Sequence, residues 1–149
     1  MRRVCLWLLL LCVMGGVGCE SRELPRERME MLTQKKELPT GVYYHSDASE
    51  GSRSYFSQAM AEDLYGAHGW ETMQKHAESF CIFLSLRAEP YEIAVFRAYS
   101  GTSANRLLQL CLARREELAV QLRHTSYADR PSRAQIYRDG CLVIMLLTD

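Results

Sequence analysis

Hydrophobic residues form three different patterns along the chain, and each predicts a different element. The first is the unbroken apolar run Val4 to Met14, behind Met1-Arg2-Arg3 and ahead of Gly15-Gly16-Val17-Gly18-Cys19. A run of this length suits the about 7 to 15 residues of an export leader and falls short of the roughly 20 that cross a bilayer as a helix. The glycines disfavour helix where a peptidase needs extended chain. The pattern predicts a signal peptide over residues 1–18. Residues 19–40 then carry Arg22, Glu23, Arg26, Glu27, Arg28, Glu30, Lys35, Lys36 and Glu37, with prolines at 25 and 39 and few large apolar side chains. Such a segment buries too little surface to offset its ordering entropy, so it reads as a charged tether, with at most a frayed helix over 27–36.

The second pattern is helical. Ser54 can cap a helix carrying Tyr55, Phe56, Ala59, Met60 and Leu64 on one side, and Gly66 stops it; a short helix over 70–76 follows. Gly101-Thr102-Ser103 opens the longest helix, whose apolar stripe is Ala104, Leu107, Leu108, Cys111, Leu118 and Leu122. The third pattern belongs to strands. Residues 80–86 are a short apolar run, Pro90 marks a turn, and residues 91–99 alternate, with Tyr91, Ile93 and Val95 on one side and Ala94, Phe96 and Ala98 on the other. Asp139-Gly140 suits a two-residue hairpin turn between residues 134–138 and the return strand 141–147. That return strand is wholly apolar, which predicts burial on both faces and a central place in its sheet. Together these elements predict one α+β domain over residues 41–149. Its expected core is a mainly antiparallel four-stranded sheet in ββαββ order, with helices packed on one face.

Charge and cysteines narrow the function classes. Lysine plus arginine and aspartate plus glutamate are equal at 18 each, so no global field favours nucleic acid, and none is expected as a partner. Arg114, Arg115, Arg123, Arg130, Arg133 and Arg138 cluster late in the sequence, and the reading preferred for them is a solvated helix face and loop. Of the six cysteines, Cys5 and Cys12 leave with the leader. Cys19 becomes the new N-terminus and the expected lipidation site. Gly16-Val17-Gly18 also satisfies an ordinary signal peptidase, so simple secretion stays open. Cys81, Cys111 and Cys141 each sit in an apolar run and are expected as buried thiols.

Candidate chemistry is sparse. No CxxC, HExxH or acidic calcium loop occurs, so no metal or cofactor site and no catalytic residue is assigned. His68, Glu71 and His76 on the short helix are the nearest approach to a cluster; His45 and His124 stand apart. Tyr43, Tyr44 and Tyr55 could form an aromatic surface, although such residues more often cover a sheet as core or rim.

Several runs taken in order, Leu64-Tyr65-Gly66, Glu92-Ile93-Ala94-Val95-Phe96, the long Arg/Glu-bearing helix, and Arg138-Asp139-Gly140 before an apolar terminal strand, resemble the bacterial domain-of-unknown-function family 4358. The similarity covers roughly residues 54–149. It implies a short, membrane-anchored lipoprotein with a compact α+β body, and it brings no catalytic residue with it. The expectation is therefore an extracytoplasmic protein, held to the cell membrane through an N-terminal lipid or secreted. It acts as a non-catalytic binding or accessory module for an envelope partner. The alternative is an exported enzyme or substrate-binding subunit whose site is assembled from residues distant in sequence.

Overall fold

The computed structural model of the chain describes residues 22–148. The expected leader over residues 1–18 and the expected lipidation site Cys19 lie outside the described residues. The body is α+β, with a five-stranded, wholly antiparallel sheet. Helix α1 (Pro25–Thr33) precedes strand β1 (Gly41–His45). Helices α2 (Gln58–Tyr65) and α3 (Gly69–His76) follow, then the pair β2 (Ala77–Ser85) and β3 (Glu92–Ala98). The long α4 (Gly101–Gln121) and the single turn α5 (Arg130–Arg133) lead to the closing hairpin of β4 (Gln135–Asp139) and β5 (Leu142–Leu147). The strands lie side by side in the order β1-β2-β3-β5-β4.

Two expectations change here. The sheet has five strands, not four, because Gly41–His45 adds an edge strand paired with β2 from Gly41 opposite Ser85 to His45 opposite Cys81. Only Val42 in this segment is fully buried, so it lacks the strict alternation that marks a strand in sequence. The helices also cover both faces instead of one. Strands β3 and β5 are apolar on both sides, and each side needs a cover. On one side Ile82, Ala94, Phe96, Val143 and Met145 pack against Ala61 and Tyr65 of α2, Met73 of α3, and Ala104, Leu107 and Cys111 of α4. On the other, Phe83, Ile93, Val95, Leu142 and Ile144 pack with Met29 of α1, and Leu32 and Leu38 extend this second cluster. The segment expected as a tether is thus helical over Pro25–Thr33 and docked through Met29, which is only 2% exposed. Buried Pro25 and Met29, with Leu32 and Leu38 partly buried, tie down a stretch whose average composition is that of a spacer.

Local signals are shifted by a few residues. The α2 cap is Ser57, whose Oγ accepts from the Met60 N–H at 3.2 Å, and not Ser54. Tyr55 instead bridges to His45. At α4 the cap is Ser100, accepting from the Ser103 N–H at 3.1 Å. We expect Ser100→Ala to lower stability by about 1 kcal/mol, read as an earlier urea midpoint at unchanged slope. The closing hairpin also differs from expectation: Asp139 pairs with Leu142, so the loop is Gly140-Cys141, with Gly140 at φ 59°. The same register continues along the hairpin to Gln135 opposite Leu146.

Of the cysteines, Cys81 and Cys111 are free and buried. Cys141 departs from the expected thiol, because it is disulfide-bonded.

Candidate functional site

The histidine-bearing helix and the first half of α4 lie side by side and line a groove of about 650 Å³. Gly69 sets the corner that makes it. A Cβ there would stand 2.6 Å from the Ala61 carbonyl oxygen and 2.7 Å from the Tyr65 Cβ, so only glycine lets α3 fold back onto α2 this closely. Met73 then anchors the inner side of α3. The outer side presents His68, Glu71, Lys75 and His76 at helical spacing, and Arg106 and Gln109 face them from α4. Lys75 and Arg106 are both exposed, and each supplies a full positive charge to the groove.

The sequence cluster of His68, Glu71 and His76 is therefore brought to one place, but not as a metal cage. His68 Nδ1 lies 3.6 Å from Glu71, whereas His76 Nδ1 turns to Ser103 Oγ at 3.2 Å. Among the described residues no group of three or more His, Cys, Asp or Glu could hold a metal ion. The Ser103–His76 contact has two parts of a hydrolytic triad and lacks the third: among the described residues no carboxylate bonds His76. Ser103 is also buried in the first turn of α4. A nucleophile needs a base held in place by a third group and room for a substrate carbonyl. The pair instead pins α3 to α4.

Sequence reasoning missed Arg106 and Gln109. Their i, i+3 spacing marks them as sharing a helix face, but which neighbour that face meets is decided by tertiary packing.

Other candidates resolve into structure. Cys81 Sγ approaches His45 Nδ1 at 3.4 Å, the geometry of a thiol–imidazole couple. Burial pushes the Cys81 thiol up to about 12, and burial, followed by the nearby Arg26 charge, lowers His45. Both groups are thus neutral near pH 7, the reverse of an activated thiolate. Burial likewise raises Cys111. The arginines expected as a solvated face disperse. Arg114 is buried against Glu92, with its Nε 3.0 Å from Oε2. Arg130 is buried and stacks on Tyr91 and Tyr127 at 4.6 and 4.8 Å from the ring centroids. Arg133 pairs with Asp129, and Arg138 reaches Asn105. Tyr43 leans on Phe83 and Tyr44 on Phe56, so these rings are rim and core.

The chain matches no protein-family model, no curated protein and no solved structure. Among the described residues no helix is long and apolar enough to cross a membrane.

Proposed function

We propose that this chain is an exported, non-catalytic binding module whose α3–α4 groove takes an anionic, carboxylate- or phosphate-bearing envelope partner. The observation that carries this reading is the placement of Lys75 and Arg106 on facing helices, with His68 and His76 beside them and Glu71 as the one carboxylate among the described lining residues. A strongly hydrated ammonium and a forked guanidinium together give the point charge and the paired donors that such groups attract. Export is supported by the leader pattern of residues 1–18 and by the resemblance to family 4358. Lipid attachment at Cys19 and secretion both leave the same body outside the cytoplasm.

The test is fluorescence anisotropy of a labelled hexa-aspartate peptide with the mature protein. Binding is expected to weaken at least tenfold in the double variant Lys75→Glu/Arg106→Glu, and to weaken with added salt because the contacts are solvent-exposed. Equal binding by the variant and the wild type would remove the groove from this role.

The alternative of an exported enzyme has one observation in its favour, the His76–Ser103 contact. Hydrolysis of activated esters that survives in Ser103→Ala would remove it.

A further inference from the structure

We infer that the α3–α4 groove is a proton-gated anion site, in which His76 and His68 take up protons as an anionic ligand binds, so that the groove holds its ligand more tightly as pH falls. The inference rests on the reading of this groove as an anion site and adds its regulation. Histidine is the side chain whose ordinary charge change lies between pH 5 and 8. Two of the chain's four histidines line this one groove. With both imidazoles neutral, Lys75 and Arg106 set two positive charges against the one negative charge of Glu71 among the described lining residues, a net charge of +1. Protonating both rings adds two positive charges and brings the net charge to +3.

The geometry lets each ring take its proton in place. His76 Nδ1 lies 3.2 Å from Ser103 Oγ, and a hydroxyl both donates and accepts, so this contact persists in either charge state of the ring. Ser103 itself is buried in the first turn of α4, which fixes the anchor. Nε2 is then the nitrogen left to the groove, and on protonation it serves a bound anion as a charged donor. His68 works through its neighbour. Its Nδ1 lies 3.6 Å from Glu71 Oε2, and protonation makes an ion pair that occupies the carboxylate otherwise free to repel the ligand. Both side chains are well exposed, at 88% and 76%, so solvent screens that pair and His76 carries the larger share.

The charged groups of the other elements packed on α3 stand outside the groove. Helix α2 carries Asp63 and Glu62, the latter accepting from Gln58 at 2.7 Å, and β2 carries Glu78, held by Arg97 at 2.7 Å. Tyr99, after β3, donates its backbone N–H to the His76 carbonyl at 3.2 Å. None of these is a lining residue. The charges that share the groove with the histidines are thus Lys75, Glu71 and, from α4, Arg106. An anion placed among them attracts an imidazolium more strongly than an imidazole. Binding therefore favours proton uptake, and proton uptake favours binding by the same factor.

The experiment follows anisotropy of the labelled hexa-aspartate peptide with the mature protein at pH 8 and pH 5.5, at one ionic strength. Aspartate side chains stay ionised over this range. Wild-type binding is expected to tighten at least about tenfold at pH 5.5, since each proton taken up on binding contributes up to about tenfold per pH unit. The double variant His68→Gln/His76→Gln should lose most of this response, while His124→Gln, altered outside the groove, should keep it. In the unaltered protein the NMR titration midpoint of His76 should move upward when peptide is bound, a readout that needs no variant to fold. Equal wild-type binding at both pH values, a full response in the double variant, or a His76 midpoint unmoved by peptide would overturn the gate and leave the groove reading intact. Absence of binding at either pH would overturn the groove reading, and the gate with it.

Discussion

Arg114→Met should destabilise the protein by about 3–5 kcal/mol, a large share of the about 5–15 kcal/mol that holds a domain folded. Glu92 and Arg114 are 3% and 7% exposed, and Tyr65 donates to the second Glu92 oxygen at 3.2 Å. Removing the guanidinium leaves a carboxylate among apolar side chains with one hydroxyl for company. The loss should depend on pH. Burial is the largest influence on Glu92 and raises its pKa, while the charge and hydrogen bond of Arg114 pull it down. A carboxyl whose folded pKa exceeds its unfolded value binds its proton more tightly when folded. Its contribution to stability is therefore most favourable below the unfolded pKa and is lost as pH rises through the folded one. Without Arg114 the folded pKa climbs and that window widens upward. Urea midpoints at pH 5 and pH 8 should differ more in Arg114→Met than in the wild type, with the variant weaker at pH 8. Adding Glu92→Gln keeps an acceptor for Tyr65 and removes the charge, so the double variant should regain stability at pH 8 and lose the extra pH dependence. Equal pH dependence in Arg114→Met and the wild type would show that Glu92 is not the group left uncompensated.

Met29→Ala should cost about 2–5 kcal/mol, the range for truncating a buried methionine whose site cannot collapse. The polar ties of α1 cannot substitute for it. Arg26–Asp47 is an exposed pair, and Arg28 reaches an Asp139 that is 57% exposed, so each is worth about 0–1 kcal/mol. Met29 is the fully buried large side chain that α1 sets over Ile93, Val95 and Ile144. Amide exchange should accelerate in residues 25–33 in Met29→Ala and stay near wild type in Arg26→Ala. A change below about 0.5 kcal/mol, typical of surface substitutions, would mean that α1 only rests on the sheet.

Elements governed by their own periodicity were legible in the sequence. Strands β2 and β3, the long α4, the short α3 and the central place of β5 follow from apolar spacing, because those patterns are set by burial along each element. What escaped depends on contacts between elements. The edge strand β1 gains its conformation from β2, and α1 gains its place from one methionine fitting a sheet face whose own residues gave no hint of what would cover it. The hairpin turn falls one residue later than turn chemistry alone suggests, because β5 is paired on both sides, with β3 and with β4, and those pairings set where it begins. The groove was half visible: His68, Glu71 and His76 share one helix, but the register that brings Arg106 opposite them arises only when α3 folds back at Gly69.

The groove also lies on the outward sides of helices whose inward sides build the core. His68, Glu71, Lys75, Arg106 and Gln109 are all exposed, and substitutions at such positions usually shift stability by no more than about 0.5 kcal/mol. The charge of the groove can therefore be altered, even inverted, while Met73, Leu107 and Phe96 keep the scaffold unchanged. Surface charge and architecture can change independently here.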